Sequence, residues 1–310
     1  MRALVLTAGL GTRLRPLTDV RAKPALPVAG DPLIRRIIAW LAAQDVRDLV
    51  LNLHHRPETI AAVVGDGADL GARVRYSWEQ PRVLGSAGGP RQALPLMGAD
   101  TFLIVNGDTL TDLALAPMID AHEASRASGA LVTLALVPNR EFERYGGVAL
   151  DQQQRVTGFP RRGPEAKGSH HFIGVQVVHA SAFAALIPGE PAASIGGVYD
   201  ALIAARPGAV RGFVCEARFW DVGTPADYWR TSQAFVPTPG ATSSIGRGTR
   251  IDPSARVARS ILWDDVDIGA GAAIDECIVT DGVRVAAGAA YRRSILVAGD
   301  DELVVTPLVV

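Results

Sequence analysis

Three short stretches of this 310-residue chain set charged side chains beside glycines. The first is AGLGTRLRP at residues 8–16, followed by Lys23-Pro24, and it comes directly after a short apolar run. Glycines there let the backbone approach a phosphate, and successive N–H groups can cradle anionic oxygens. Arg13 adds a planar fork of donors and Lys23 a compact point charge. Two familiar phosphate loops are excluded. A dinucleotide fingerprint needs a third glycine where Leu14 stands, and a Walker loop needs a G-K-[ST] triplet that is absent. The second stretch, Asn106-Gly107-Asp108, ends an all-apolar run, where open α/β sheets place ligands. A carboxylate there can hold Mg2+ between phosphates, because magnesium takes one or two protein carboxylates and fills its shell with phosphate and water. The third is WDVGTP at residues 220–225. Thr224 is the better cap for the helix that follows, so Asp221 is not required for capping.

Elements that could position these groups are legible from hydrophobic period. Strands are expected at residues 3–6, 49–53, 74–77, 102–105, 131–137, 147–150, 155–159 and 172–178, in alternation with amphipathic stretches. Asp31 reads as an N-cap with Pro32 at the first helical position, and Leu33, Ile34, Ile37, Ile38 and Leu41 share one helical face. Further helices are expected at 57–64 and 227–235. This is the pattern of an α/β fold with a Rossmann-like mixed sheet. The texture changes after Phe235. VPTPGATSS is a linker by composition. Beyond it Ile261, Ile278 and Ile295 recur at a spacing of 17, as do Ile251, Ile268 and Val285, and Val257, Ile274 and Tyr291. Aliphatic residues about six apart with Gly or Asp at the corners mark hexapeptide coils, which must stack to complete a core. The expected organisation is therefore one domain at 1–235 and a short left-handed parallel β-helix at 241–310. The apolar end, LVVTPLVV, suits capping the helix or pairing with a second copy.

Composition removes other classes. With 31 basic and 32 acidic residues there is no nucleic-acid footprint. No segment approaches the ~20 apolar residues of a membrane span. Cys215 and Cys277 form no C-x-x-C pair, which fits a reducing cytoplasm. All six histidines lie at or before His179, so the repeats lack the histidine base that hexapeptide acyltransferases generally need.

The run AGLGTRLRPLT…KP resembles the opening of the sugar-1-phosphate nucleotidyltransferases, and the resemblance extends to about residue 235. It implies an α/β transferase that joins a nucleoside triphosphate to a sugar-1-phosphate with Mg2+. Arg13 would contact the triphosphate and act in catalysis, and Lys23 would hold the sugar phosphate. Ala8, Gly9, Gly11 and Thr12 would line the nucleotide. QPRVLGSAGG at residues 80–89 stands at the base-reading position, with Gln80, Gly85 and Ser86 as contacts, and is closest to the mannose-1-phosphate guanylyltransferase pattern. Asp108 and Asp221 would be the metal ligands. Tyr145 and Gly147 resemble the sugar-binding segment, and Gly174 stands in the family's N-A-G position. Arg161 and Arg162 replace the usual Glu and Lys, so a basic phosphate contact is retained at Arg162 while the carboxylate for sugar hydroxyls is lost. Phe172 is similar instead to uridylyltransferases for N-acetylmuramate-1-phosphate. A silent regulatory paralogue should have lost Arg13, Lys23 or the acidic pair, and all are present. The stacked apolar rows suit assembly of identical copies.

Overall fold

The computed structural model describes residues 1–236, 243–299 and 302–309. Most of the expected linker, 237–242, lies outside the described residues. The contacts divide the chain into two compact units. The first comprises residues 1–9, 37–57 and 64–219. The second comprises residues 10–36, 58–63 and 220–310.

The first unit is built on seven strands: β1 (Arg2–Leu6), β2 (Asp48–Leu53), β3 (Arg73–Trp78), β4 (Thr101–Asn106), β5 (Val132–Pro138), β6 (His170–His179) and β7 (Val210–Val214). Their order in the sheet is β7-β5-β6-β4-β1-β2-β3. β6 runs antiparallel to both neighbours, and the other pairings are parallel. β1, β2 and β4 are near-continuous apolar runs because both faces are covered. The parallel strands end on one edge, and that edge collects the loops that bear polar groups.

Helix α1 (Leu33–Ala42) buries Leu33, Ile34, Ile37, Ile38 and Leu41, the face expected from the sequence. Each such side chain removed from water contributes about 1.5–3 kcal/mol. Its start differs from expectation. Asp31-Pro32 is not a cap but a short strand paired antiparallel with Pro27–Val28, and Leu33 N–H donates to Leu26 O at 2.9 Å. That carbonyl takes over the role assigned to the aspartate. The chain continues with α2 (Pro57–Val64), α3 (Gly85–Met97), α4 (Leu115–Arg126), α5 (Tyr199–Ala205) and α6 (Pro225–Ala234). Thr224 does cap α6, its Oγ1 accepting from Asp227 N–H at 3.2 Å.

In the second unit the 17-residue period becomes ladder register. Ile261, Ile278 and Ile295 pair in sequence, as do Ile251, Ile268 and Val285, and Val257, Ile274 and Tyr291. Three parallel sheets enclose a core of Leu262, Val266, Ile268, Ile274, Val279 and Leu296. The stack ends in an antiparallel strand, Leu303–Pro307, on Ser294–Ala298. Among the described residues no helix is long and apolar enough to cross a membrane.

Candidate active site

At the C-terminal edge of the first unit's sheet, Thr7 N–H donates to Asn52 Oδ1 at 2.7 Å and Thr7 Oγ1 donates to Asn52 O. The Asn52 amide donates to Glu79 Oε1 at 2.6 Å, and Leu84 N–H donates to Glu79 Oε2 at 2.6 Å. Glu79 is wholly buried. A buried carboxylate is tolerated only when hydrogen-bonded, and these two donors meet that need. They also pin both ends of the loop at residues 80–84. Exposed Gln80 begins that loop, and Gly85, at φ +77°, opens α3. A side chain at Gly85 would have its Cβ 2.8 Å from the carbonyl oxygen of Ala192. The same carbonyl accepts from Ala87 and Gly88 N–H at 2.9 and 3.2 Å. Ser86 Oγ accepts from Ser194 N–H at 2.9 Å and lies 2.9 Å from Ser194 Oγ. The first turn of α3 is thus tied to residues 192–194. Glu79, Asn52 and Ala192 were not singled out from the sequence. A carboxylate six residues before the helix-opening glycine was the available signal for Glu79.

On the same edge, β4 runs into Gly107-Asp108. Gly107 N–H donates to Leu6 O at 2.9 Å, which sets this turn beside the end of β1 and Thr7-Ala8-Gly9. Asp108 is half-buried, with Thr109 Oγ1 3.2 Å from its Oδ1. Gly174 sits where the β5–β6 register shifts, and the Asn106 side chain would lie 3.0 Å from a Cβ there. A bulge of this kind re-aims neighbouring side chains. Next to it the Tyr145 and His171 rings stand 4.2 Å apart, and Phe219 lies 4.9 Å from His171. The Arg144 guanidinium covers Tyr145 at 4.7 Å. Burial pushes the His171 imidazole down to about 4, so it is neutral at pH 7. Gly147 N–H donates to Pro160 O at 2.8 Å, which joins the Tyr145 segment to the strand leading to Arg161 and Arg162, both exposed. Ala8, Gly9, Gln80, Gly85, Ser86, Asp108, Tyr145, Gly147 and Gly174 therefore belong to one compact unit. Phe219 joins Tyr145 and His171 in a way that sequence spacing does not reveal.

The second unit holds Gly11, Thr12, Arg13, Lys23 and Asp221. Gly11 adopts φ +61°, and its carbonyl accepts from Leu14 N–H and Thr18 Oγ1, each at 2.9 Å. Thr12 and Arg13 are exposed on the turn this closes. A Cβ on Gly11 would stand 2.7 Å from Thr18 Cγ2 and 3.5 Å from Lys23 Cβ, so the loop folds tightly onto the base of Lys23. Asp221 precedes Gly223, and a Cβ at Gly223 would lie 3.0 Å from Asp221 Oδ2 and 3.2 Å from Asp227 Oδ2. Glycine thus leaves space beside two carboxylate oxygens. Among the described residues no cluster of three or more His, Cys, Asp or Glu is placed to hold a metal.

A mixed α/β sheet with glycine-rich phosphate-type turns at its C-terminal edge, followed by a hexapeptide solenoid, defines a nucleotide-handling enzyme. The chain belongs to the sugar-1-phosphate nucleotidyltransferases: residues 2–236 match the Nucleotidyl transferase family, and residues 238–299 match the GlmU-like C-terminal hexapeptide family. A mannose-1-phosphate guanylyltransferase of Mycobacterium tuberculosis is 32% identical over 301 residues, covering 88% of this chain and 82% of that protein. An N-acetylmuramate alpha-1-phosphate uridylyltransferase of Neisseria meningitidis is 45% identical over 113 residues, 36% of this chain and 49% of that one. HddC from Yersinia pseudotuberculosis, solved with GMP-PN, shares the fold with a TM-score of 0.63 at 22% identity, covering 76% of this chain and 99% of its own.

Proposed function

We propose that this enzyme is a guanylyltransferase that condenses GTP with mannose-1-phosphate or a close analogue, releasing pyrophosphate. The observation that carries the reading is the 32% identical guanylyltransferase, whose similarity covers 88% of the chain. The transferase module is residues 1–235 and the β-helix module residues 241–310. The sugar phosphate oxygen attacks the α-phosphorus in line, and pyrophosphate leaves. No covalent protein nucleophile is needed, so catalysis is positioning and charge neutralisation. Ala8, Gly9, Gly11 and Thr12 line the nucleotide, and Arg13 neutralises the triphosphate. Gln80 and Gly85 read the base, the Gln amide offering both donor and acceptor. Ser86 holds that loop through Ser194. Lys23 and Arg162 hold the sugar phosphate, with Tyr145, Gly147 and Gly174 around the sugar.

Asp108 and Asp221 fit Mg2+ by donor type. They are hard oxygen ligands, and Gly223 leaves room beside Asp221. When bound, the ion would neutralise phosphate charge.

A uridylyl reading with N-acetylmuramate-1-phosphate is favoured by Phe172 and by the 45% identical segment. A matrix of GTP, UTP, ATP and dTTP against mannose-, glucose- and N-acetylmuramate-1-phosphate, scored by pyrophosphate release, tests both. GTP with mannose-1-phosphate should dominate. A maximum in the UTP row with N-acetylmuramate-1-phosphate would replace the main reading by the second.

A further inference from the structure

The β-helix reaches into the segment that carries Lys23. The 17-residue period puts Asp264 and Asp281 at the same corner of successive coils. There each carboxylate accepts a backbone N–H from the preceding coil: Arg247 N–H to Asp264 Oδ1 at 2.8 Å, and Asp264 N–H to Asp281 Oδ1 at 3.1 Å. Their remaining lone pairs point at one guanidinium. Arg21 donates through Nε to Asp281 Oδ2 and through Nη2 to Asp281 Oδ1, both at 2.6 Å, and through Nη2 to Asp264 Oδ2 at 2.7 Å. The Arg21 side chain is only 13% exposed, and its guanidinium carbon lies over the Trp263 ring, 5.4 Å from the centroid. Trp263, fully buried, donates its indole N–H to Tyr228 Oη at 2.9 Å, and Tyr228 Oη donates to Pro27 O at 2.6 Å. The stretch at residues 21–27 is therefore held at both ends from the solenoid, directly at Arg21 and through Tyr228 at Pro27. Lys23 lies between, and the adjacent Ala22 N–H is fixed by Thr59 Oγ1 at 3.0 Å. All these residues belong to the second compact unit.

We infer that Asp264 and Asp281 are positioning residues for nucleotidyl transfer: they fix Arg21, and through it the turn that presents Lys23 to the sugar phosphate. This rests on the reading of Lys23 given above. A bidentate fork fixes orientation as well as position, which a lysine in place of Arg21 cannot do. A solenoid serving only as a stacking surface would need neither aspartate aimed at Arg21.

The test is the full-length Asp264→Asn/Asp281→Asn variant beside the natural enzyme, with Arg21→Lys as a second variant in case the first does not fold. Two readouts are taken. Amide hydrogen exchange across residues 17–28 should quicken about tenfold, while peptides from β1 and β4 stay protected. The KM for the sugar-1-phosphate should rise about tenfold, with kcat at saturation and the KM for the triphosphate within about twofold. Adding Lys23→Ala to the variant should raise that KM less than additively, because both changes act on one contact. Unchanged exchange at residues 17–28, equal rises in both KM values, or full additivity with Lys23→Ala would each overturn the proposal. A natural enzyme that releases no pyrophosphate with any substrate pair would instead sink the functional reading, and the exchange result alone would then decide whether the solenoid fixes this turn.

Discussion

The charged residues divide into those that would meet substrate and those that hold the loops in shape. By the proposed function, Asp108 and Asp221 fall in the first group. Asp108→Asn and Asp221→Asn should each cut kcat by about a hundredfold or more, since the amide keeps the volume and loses the charge. The melting temperature should hold, because neither carboxylate is fully buried. Turnover near the natural level in both variants at limiting Mg2+ would remove the two-carboxylate assignment. Glu79 belongs to the second group. Glu79→Ala strands the Asn52 amide and Leu84 N–H, each at about 1–3 kcal/mol, so denaturant unfolding should show a loss of several kcal/mol. The same variant should raise the KM for the triphosphate, because the Gln80 loop is released at both ends. The motif residues were legible as candidates because glycine, arginine and carboxylate at fixed spacing have few other uses. Glu79 was not, because an acid in a sequence reads as surface until the three-dimensional fold shows what encloses it. Phe219 was likewise hidden, since 48 residues separate it from His171 and only the sheet edge brings it to Tyr145.

At the scale of elements, α4 and β5 share a titratable contact. His122 on α4 is fully buried, and its Nδ1 lies 2.9 Å from Thr133 Oγ1 on β5. Its Nε2 has no hydrogen-bond partner among the described residues. Burial pushes this imidazole down from 6.5 to about 4. The unfolded chain therefore takes up the proton first as pH falls. The contribution to stability is complete above about pH 6.5 and is lost as pH falls from there towards about 4. His171 shifts the same way and adds to the slope. Thermal unfolding between about pH 7.5 and about pH 5 should show the decline, and His122→Gln should flatten it. An unaltered slope in that variant would place the titration elsewhere. Element placement was mostly legible from period, down to the rung register of the solenoid, where a 17-residue repeat allows one alignment only. The start of α1 was not. Asp-Pro is a good helix opening by local rules, but Leu26 O already satisfies the Leu33 N–H, and the aspartate is drawn into a strand pair. α3 keeps Pro90 and Pro95 within it, against local propensity, while its first turn is fastened to Ala192.

For the whole molecule, the question is whether the β-helix serves assembly, the stability of its own unit, or both. Two variants separate the roles. Val304 and Val305, 46% and 44% exposed on the last strand, offer an apolar edge to a second copy. Val304→Glu/Val305→Glu should lower the mass measured by light scattering if copies join there, and should leave the melting temperature unchanged, because these side chains are not in the core. Truncation after Phe235 acts differently. It removes the indole that bonds Tyr228 and covers Arg21, and it removes both aspartates that neutralise that guanidinium. Tyr228 would then present its ring to water beside an unpaired cation. Replacing a buried Trp by Ala costs about 3–5 kcal/mol, and truncation forfeits at least that contact. The truncated chain should therefore melt well below the full-length enzyme at equal subunit concentration, whatever its oligomeric state. A well-folded truncation with the full-length melting temperature would show that the solenoid contributes nothing to the stability of the rest of its unit.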